Sequence, residues 1–573
     1  MKNRFKFSIL FVGLSLLLGS CYKDKGNYDY HEINDIVIAQ SEYTYTTPKE
    51  GQTYPVVIAP TITQTMTSGT ENLAYEWKRQ TGAIGWEVVG HDPTYTLIVT
   101  SSDTQPIVLR LAVTDLNQDI ITYEEITVKP MFKFNQSWFL LQDIDGQAVL
   151  GCIDGEGATR EVTKDVYLRE NGTSLNGKPV GLGMHNFLNT TPIKEGTRTY
   201  DIMLGVFTES QPYMLKGATL ENYKFSYSRL LYEKMITGDA TFDPQLMKSD
   251  RNNFVIVDNK KLWYAVPDEL ALMYPVELSE ALGGGYDYDA QGVGFASGIQ
   301  CIVYDGLGHR FLNYNNTGAY TLGYETRQRI VEGSGSYNDL YLDESNVNRQ
   351  AKLETIPSSA SNVFNPSTDV PGNYTLDYMG AGSVGTIETI LAIGHSGQNF
   401  HIYEFYPEAS SLDAGTAFCN GTWTVASQGT PSASADGKWQ VATSSYFKRM
   451  FFYAAGNAVY RVDLTQSVPS VEVIYETDPA AGPIKLMKMK SDKEDIAYNV
   501  DQTGANDEIP TKGIVHHLGV LQQDDAGNAT LVELHLTAAG ELELDANKEP
   551  VVYKFDGVFQ NVVDMLFAYR DEI

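Results

Sequence analysis

The feature that most constrains the fold is a hairpin unit that recurs after residue 130. In its first copy the apolar run Trp138-Phe139-Leu140-Leu141 leads through Asp143-Ile144-Asp145-Gly146 into Ala148-Val149-Leu150. Comparable units begin near residues 254, 301, 390, 450 and 514, and a weaker one spans Ile202 to Leu215. Because Gly, Asn and Asp tolerate positive φ, each unit predicts two antiparallel strands joined by a tight turn.

Repeated hairpins with almost no helical period between them predict a β-propeller over residues 131–573. Six clear units and one weaker unit favour about seven blades. A second β-sandwich or a β-helix would give a similar pattern, and both stay open at this point. In a propeller, the terminal run from Phe555 through Phe559 to Phe567 is expected to close the ring by pairing with the first blade.

Residues 36–130 have a different rhythm, with about seven short β-forming runs separated by Gly, Pro, Asn and Asp. This spacing predicts an immunoglobulin-like sandwich. Tyr75-Glu76-Trp77 would place Trp77 inward on a central strand. No cysteine pair is available to join the two sheets, which excludes an antibody-type domain. The whole chain is therefore expected to be all-β, with a sandwich followed by a propeller.

The first twenty residues have the pattern of a lipoprotein signal peptide. Lys2, Arg4 and Lys6 precede an apolar run from Ile9 to Leu18, which is too short for a stable membrane span. Leu18-Gly19-Ser20-Cys21 resembles a lipobox, so we expect Cys21 to be the lipidated first residue of the mature chain. Residues 21–35, rich in charge, Gly and Asn, are expected to form a tether. These features predict a protein anchored in the outer membrane by lipid and exposed at the cell surface.

Charge and cysteine content exclude two further classes of protein. The 72 Asp and Glu residues outnumber the 42 Lys and Arg residues, so the chain would repel phosphate backbones, and nucleic acid is not an expected partner. Apart from Cys21, only Cys152, Cys301 and Cys419 are present. An odd number of thiols argues against a disulfide framework, and the apolar runs around Cys152 and Cys301 favour buried thiols.

A search for catalytic or metal-binding patterns gives mostly negative results. No His-Glu-x-x-His or Cys-x-x-Cys pattern is present, so zinc catalysis is unsupported. Calcium is the one possible cofactor, and its candidate ligands are carboxylates on alternate residues: Asp143, Asp145, Asp287 and Asp289. His516-His517 and the pair of His395 and His401 could bind a transition metal, but hydrogen-bonded histidines are the favoured interpretation, since adjacent side chains in a strand point to opposite faces.

Aromatic residues beside Gly, Asn or Asp are the weak candidates for ligand binding, because exposed rings in loops stack on sugars and pack against peptides. These residues are Tyr286, Tyr288, Tyr337, Tyr341, Trp423 and Trp439. The segments from Gly333 to Asn373 and from Pro407 to Gly437 are long for hairpin connections and are candidates for a ligand-facing rim. For any single tyrosine, packing on a strand face is the competing interpretation.

Six short stretches along the chain carry a common pattern: Cys21 to Tyr30, Ile33-Asn34-Asp35-Ile36, Tyr75-Glu76-Trp77, Val113-Thr114-Asp115, Trp138 to Leu141, and the terminal Phe559, Val562, Asp564 and Met565. Together these stretches resemble the PKD-like family of Bacteroidota lipoproteins. The resemblance implies a surface lipoprotein encoded near SusC/SusD-type importers. No catalytic residues come with this family pattern.

The expected function is therefore non-enzymatic: an accessory component that binds a glycan or peptide nutrient, or docks against a SusC/SusD-type importer. One alternative is a propeller glycosidase or polysaccharide lyase at the cell surface, for which paired carboxylates would have to converge in the fold. A second alternative is a purely structural protein-docking platform, which predicts an exposed apolar patch.

Overall fold

The computed structural model describes residues 33–189, 199–222, 227, 231, 241–265, 274–315, 352–357, 362–407, 417–491 and 514–569, apart from 47, 50, 83, 101–102, 104–105, 132–133, 135, 156, 158–159, 218, 251–252, 297–298 and 385–386. The predicted signal peptide and Cys21 lie outside these residues. The chain divides into two compact units. The first contains Pro55–Ile98 and Pro106–Lys129 with the residues up to Tyr45, and the second contains Thr46–Tyr54, Val99–Gln105 and Pro130–Ile573.

The N-terminal strands form the predicted immunoglobulin-like sandwich. They are β1 (Ile36–Ala39), β2 (Glu42–Thr46), β3 (Thr53–Ile58), β4 (Thr61–Gln64), β5 (Leu73–Thr81), β6 (Gly85–Gly90), β7 (Tyr95–Thr100), β8 (Ile107–Asp115) and β9 (Ile120–Met131). One sheet has the order β2-β9-β8-β5-β6, and the other strands pair as β1-β4 and β3-β7. All seven predicted runs are strands, while β2 and β4 were not predicted.

Trp77 is the centre of the sandwich core, as the sequence predicts. Its side chain on β5 is fully buried, and its indole Nε1 donates a hydrogen bond to the carbonyl oxygen of Asp92 at 2.8 Å. Asp115 at the end of β8 accepts hydrogen bonds from the side-chain amides of Asn34 at 2.8 Å and Asn72 at 3.0 Å. Asn34, which the sequence analysis placed in the tether, is thus buried in the sandwich.

Within the described residues the second unit contains seven β-sheets, which we call blades 1 to 7 in chain order. Blade 1 has β10 (Gln136–Ile144), β11 (Gln147–Asp154), β12 (Glu161–Thr163) and the last strand β37 (Val562–Tyr569); blade 2 has β13 (Pro179–Asn189), β14 (Thr199–Thr208) and β15 (Pro212–Lys216); blade 3 has β16 (Pro244–Asp250), β17 (Asn253–Asp258), β18 (Lys261–Ala265) and β19 (Tyr274–Pro275). Blade 4 has β20 (Glu277–Leu278), β21 (Ala290–Ala296), β22 (Ile299–Asp305), β23 (Arg310–Asn315) and β24 (Lys352–Thr355); blade 5 has β25 (Thr375–Val384), β26 (Ile387–Ser396), β27 (Asn399–Pro407) and β28 (Ala417–Ala426). Blade 6 has β29 (Val441–Ala442), β30 (Met450–Ala455), β31 (Ala458–Asp463) and β32 (Ser470–Glu476); blade 7 has β33 (Ile484–Met489), β34 (His517–Gln523), β35 (Asn528–His535) and β36 (Val552–Gln560).

The seven sheets form a closed ring, which confirms the predicted propeller. Contacts join β37 to β13, β13 to β16, β17 to β21, β21 to β25, β25 to β29, β29 to β33, and β33 back to β37. In each blade one edge strand takes part in these contacts and is here called the inner strand. The inner strands of blades 1 to 7 are β37, β13, β16, β21, β25, β29 and β33. β37 pairs antiparallel with β10, with Met565 opposite Leu140, so the last strand completes the first blade as predicted.

The repeated hairpins are the second and third strands of the blades. In blade 1 the turn between β10 and β11 contains Asp145 and Gly146 at φ 53° and 81°, which is the two-residue turn predicted for a twisted hairpin. Two segments predicted to be long loops contain strands instead. β24 lies within Gly333 to Asn373, and β28 lies within Pro407 to Gly437.

Apolar clusters between neighbouring blades form the propeller core, one at each of the seven junctions among the described residues. On β22, Cys301 and Val303 pack toward blade 3, whereas Ile302 and Tyr304 pack toward blade 5. Because both faces of such a strand are buried, its sequence is a continuous apolar run rather than an alternating one. The three described cysteines form no disulfide within the described residues and are buried, as predicted for Cys152 and Cys301.

Helical structure is sparse in the described residues. The helix α1 (Val166–Asn171) begins after Asp165, whose side chain accepts a hydrogen bond from the Leu168 amide, and ends at Gly172 with φ 68°. Short 3₁₀ turns cover Glu280–Leu282 and Pro479–Ala481. No helix in the described part of the chain has the length and apolar character needed to cross a membrane.

Candidate functional site

A buried polar cluster lies at the junction of blades 7 and 1, where the ring closes. Glu533 and His535 lie on β35, two residues apart and so on one face of the strand. His517 on β34 lies directly opposite His535. Lys490 follows β33, and Arg160 precedes β12 of blade 1. The cluster therefore joins four segments that are distant in the sequence.

Glu533 is the common acceptor of this cluster. Its carboxylate accepts hydrogen bonds from two guanidinium nitrogens of Arg160 at 2.7 and 2.8 Å and from Trp138 Nε1 at 2.8 Å. His535 Nε2 lies 3.0 Å away, and Lys490 Nζ lies 2.9 Å away. The side chains of Glu533, Arg160 and Lys490 are 0%, 1% and 3% exposed. Both carboxylate oxygens of Glu533 therefore have hydrogen-bond or ion-pair partners, although the side chain is fully buried.

The electrostatics of the cluster exclude proton transfer by Glu533. Burial alone would raise the pKa of this carboxyl, but the hydrogen bonds from Arg160 and His535 and the charge of Lys490 hold its pKa far below the usual range. Burial, reinforced by Lys490, lowers the pKa of His517 to about 2. These shifts favour an ionised Glu533 and a neutral His517 near neutral pH, which suits a structural role at this junction.

The same residues have a metal-like arrangement, because ligand atoms of His517, Glu533 and His535 lie within 4.8 Å of one another. Two observations argue against a metal ion here. The imidazole rings of His517 and His535 stack with centroids 3.5 Å apart and planes at 15°, so their nitrogens do not converge on one point. Lys490 and Arg160 already neutralise Glu533, and their charges would repel a cation.

A second polar centre lies in blade 5. Asp377 on the inner strand β25 faces His395 on β26, and both carboxylate oxygens lie 2.9 Å from His395 Nδ1. The Trp439 backbone amide donates to Asp377 at 2.7 Å. The indole of Trp439 stacks on the His395 ring at 4.0 Å with an angle of 5° between planes. Asp377 and Trp439 therefore hold the imidazole by hydrogen bonding and by stacking.

The pKa of Asp377 distinguishes this centre from the first. Burial raises this pKa to about 6, and the bonds from His395 and the Trp439 amide oppose the rise. No guanidinium or ammonium group bonds Asp377 in the described residues. A partly exposed imidazole that is oriented by a carboxylate can bind a ligand or transfer a proton at its Nε2.

The position of Asp377 belongs to a pattern of β-bulges on the inner strands. In six blades the inner strand contains one extra, unpaired residue near its start. The residues on either side of it pair with two consecutive residues of the next strand. The extra residues are Val180, Gln245, Gln291, Asp377, Lys485 and Val563. Such bulges re-aim a side chain. Gln245 uses this to accept a hydrogen bond at 2.8 Å from the Lys260 amide in the turn of its own blade.

Two further buried carboxylates of the propeller are paired with arginine, while the fully buried Asp258 on β17 accepts hydrogen bonds from the Tyr227 hydroxyl at 3.0 Å and the Asn259 side-chain amide at 2.6 Å. Glu404 on β27 is fully buried and accepts hydrogen bonds from Arg449, the shortest at 2.6 Å. Asp305 at the end of β22 is also fully buried and accepts from Arg310 Nε at 2.9 Å. These pairs fix turns and blade contacts.

The predicted aromatic candidates do not come together in one place. Tyr288 is 1% exposed, and its hydroxyl donates to the Val276 carbonyl at 2.6 Å, which corrects the expectation that it lies in an exposed loop. Tyr286 is half-buried against the same core cluster. The half-buried Trp423 has the guanidinium of Arg449 5.2 Å from its ring centre. Trp439 is only 7% exposed and covers His395. Tyr337 and Tyr341 lie outside the described residues.

The four candidate aspartates lie in or beside turns. Asp143 accepts a hydrogen bond from the Gly146 amide at 2.8 Å, and Asp145 is exposed. Asp289 lies 3.5 Å from Lys260 Nζ, and Asp287 is exposed. Neither pair is part of the three-residue grouping that could hold a metal in the described chain. Calcium binding at these residues stays a prediction.

Sequence reasoning missed Glu533, Arg160, Lys490 and Asp377, and it considered the histidines without their partners. Nothing in the sequence marks Glu533 or Asp377 among 72 acidic residues. The expectation that the adjacent side chains of His516 and His517 point to opposite faces is wrong, because His516 lies in a turn before β34. The ring centroids of the two histidines are 4.5 Å apart. His395 is hydrogen-bonded, as favoured, and its partner is Asp377.

Comparison with solved structures finds distant all-β neighbours. A quinonprotein alcohol dehydrogenase-like protein from Bacteroides thetaiotaomicron is 10% identical, with 94% of this chain and 100% of that chain covered and a TM-score of 0.37. An auxiliary nutrient binding protein from Bacteroides ovatus is 9% identical over 85% and 95% of the two chains, with a TM-score of 0.24. PorZ, a surface component of the type-IX secretion system of Porphyromonas gingivalis, is 9% identical over 72% and 69%, with a TM-score of 0.21. Likeness at these TM-scores carries no inference about activity.

Comparison of sequences gives one family. No curated protein matches the chain. The model of the PKD-like family matches residues 21–179, which contain the sandwich and the strands β10 to β12 of blade 1.

Proposed function

We propose that this protein is a lipid-anchored surface protein that serves a SusC/SusD-type uptake system as a non-enzymatic accessory component. One observation carries the proposal. The match to the PKD-like family begins at Cys21, the residue at which the lipobox pattern has the mature chain begin. The family resemblance and the export signal thus point to the same first residue. In this proposal the sandwich stands next to the lipid anchor, and the propeller carries the binding surface.

The polar interior of the propeller supports binding rather than hydrolysis. A glycosidase needs two carboxyl groups roughly 5 to 9.5 Å apart, one of them free to give up a proton. Three fully buried carboxylates, those of Glu404, Glu533 and Asp305, are each hydrogen-bonded by arginine instead. Permanent cations compensate the charge of these three groups, which suits stable blade junctions and not acid catalysis. Asp258 is also fully buried and accepts hydrogen bonds from the Tyr227 hydroxyl and the Asn259 side-chain amide.

The test is recovery of partners from mildly solubilised cells with a tag after residue 573. We expect the wild-type protein to fractionate with the outer membrane and to copurify with a SusC/SusD-type pair. The matched control is Cys21→Ala, which removes the lipidated thiol and should abolish both results without altering the propeller. Recovery of the wild-type protein without an importer, or turnover of a glycan by the purified protein, would overturn the proposal.

A further inference from the structure

Asp377 is the exception in the bulge pattern of the inner strands. At the five other bulges the extra residue is exposed, as Val180 is at 45% and Val563 at 41%, whereas Asp377 as a whole residue is half-buried. The Asp377 side chain is 0% exposed and faces the partly exposed ring of His395. Burying an ionisable group costs stability. Proteins accept such a cost most often at functional sites, so the buried Asp377 marks a candidate site.

The hydrogen bonds of Asp377 determine the tautomer of His395. Because both carboxylate oxygens lie 2.9 Å from Nδ1, that nitrogen carries the proton. In the neutral ring, Nε2 then presents a lone pair, and no hydrogen bond to Nε2 is found within the described residues. Stacking on Trp439 prevents the ring from turning. The result is a fixed acceptor on a side chain that is 15% exposed.

Uncharged hydrogen-bonding side chains lie at the same end of blade 5 as this acceptor. Ser396 follows His395 and donates its hydroxyl to the exposed Asn373 at 2.8 Å. Gln398 is exposed in the adjacent turn, where its carbonyl accepts from Ser427 at 3.0 Å. The nearby cation of Lys438 is paired with Asp436 at 3.2 Å. Hydroxyl, amide and imidazole groups beside an ion pair with no net charge suit a ligand that carries hydroxyls and no charge.

We propose that His395, held by Asp377 and Trp439, is a binding residue for a neutral saccharide, and that its Nε2 accepts a hydrogen bond from a sugar hydroxyl. The exposed Asn373 and Gln398 are the neighbouring polar residues at this end of blade 5, whereas Ser396 follows His395 on β26 and so points to the other face of the sheet. The strongly acidic chain favours an uncharged ligand over a carboxylate or a phosphate. This inference rests on the proposed function and gives its ligand class and one contact.

The test uses the full chain purified in detergent and calorimetric titration with neutral probes: maltohexaose, cellohexaose, xylohexaose and mannohexaose. We expect one probe to bind, and both His395→Gln and Asp377→Asn to weaken binding about tenfold, the effect of one lost hydrogen bond in a partly enclosed site. The matched control is Gln291→Asn, which alters the bulge residue of blade 4 and should leave affinity unchanged.

A second measurement does not depend on how well the variants fold. In wild-type protein with ¹⁵N-labelled histidine, the bound probe should shift the Nε2 resonance of His395 and not that of His91 in the sandwich. Binding by wild type that is unaffected by both substitutions, or binding only of charged glycans or peptides, would overturn the inference. Failure of all probes while an importer copurifies would also overturn it and leave the proposed function intact, whereas loss of the importer alone counts against the proposed function.

Discussion

Glu533 and Arg160 form a buried bidentate ion pair between residues 373 positions apart in the sequence. The pair links β35 of the last blade to the segment before β12 of the first blade. Trp138 on β10 and Lys490 after β33 add further bonds to the same carboxylate. The junction of blades 7 and 1, beside the pairing of β37 with β10, is therefore also stabilised by buried ion pairs.

Removing the anion of this junction should destabilise the propeller strongly. Glu533→Gln leaves Arg160 and Lys490 buried without a counter-charge, and breaking a buried pair costs roughly 3–5 kcal/mol in the free energy of unfolding. The control is Glu472→Gln, because Glu472 is 58% exposed beside Arg461 and its removal should cost less than about 1 kcal/mol. Urea titration measures both, and equal losses would contradict the role assigned to Glu533.

Acid should weaken the folded state through His517. Its pKa falls from the ordinary 6.5 to about 2 in the folded protein, so between these values only the unfolded chain binds the proton. The stability that the neutral ring contributes is complete above about pH 6.5 and is lost progressively as the pH falls toward 2. Lys490, Glu533, His516 and His535 share this environment.

The variant His517→Gln should therefore show a shallower loss of stability with falling pH than the wild type. The exposed His91 in the sandwich supplies the control His91→Gln, which should leave the slope unchanged. The measurement is the denaturant midpoint of unfolding from pH 7 to pH 4, compared among the wild type and the two variants. Identical slopes for wild type and His517→Gln would show that His517 does not titrate in this way.

Gly519 should tolerate no side chain, because Trp138 packs directly on it. A Cβ at this position would lie 2.5 Å from the Trp138 ring, and crowding of a packed core costs about 1–3 kcal/mol. The matched substitution Gly372→Ala meets no atom within 4 Å and should be close to neutral. Thermal unfolding compares the two variants, and a neutral Gly519→Ala would contradict the packing described here.

Deleting residues 562–573 should prevent the propeller from closing. Without β37, β10 keeps β11 but loses its other antiparallel partner and becomes an open edge, and the apolar cluster with Met565 and Phe567 loses part of its lining. We expect a protein that aggregates or exposes apolar surface, which dye binding and light scattering detect. A chain shortened only by residues 570–573 is the control, and a monomeric, fully folded deletion variant would contradict the closure.

The alternation of strands and turns was predictable because it is a local property of the sequence. Runs such as Cys301-Ile302-Val303-Tyr304 identify strands buried on both faces, and Asp145-Gly146 identifies a turn at positive φ. Both β2 and β4 escaped prediction because Glu42–Thr46 and Thr61–Gln64 are largely exposed and carry little apolar signal. The closing strand was predictable, since its apolar run is left without a partner at the end of the chain.

The polar centres were not predictable, because their members come from different blades or from strands separated by turns. Asp377 becomes unusual only when the six bulges are superimposed by register, and the sequence does not reveal register. Tyr288 has the neighbours of a loop residue in the sequence, and the tertiary structure buries it.

The sequence by itself determined the all-β class, the hairpin repeat and the burial of the strands, because periodicity and turn chemistry act over a few residues. The tertiary structure alone decided which acids are buried and which partners they meet. The closed ring brings Arg160 within 2.7 Å of Glu533 and buries both side chains. A carboxylate removed from water depends on the charges and hydrogen-bond donors within a few ångströms of it, and those neighbours exist only after the blades have packed.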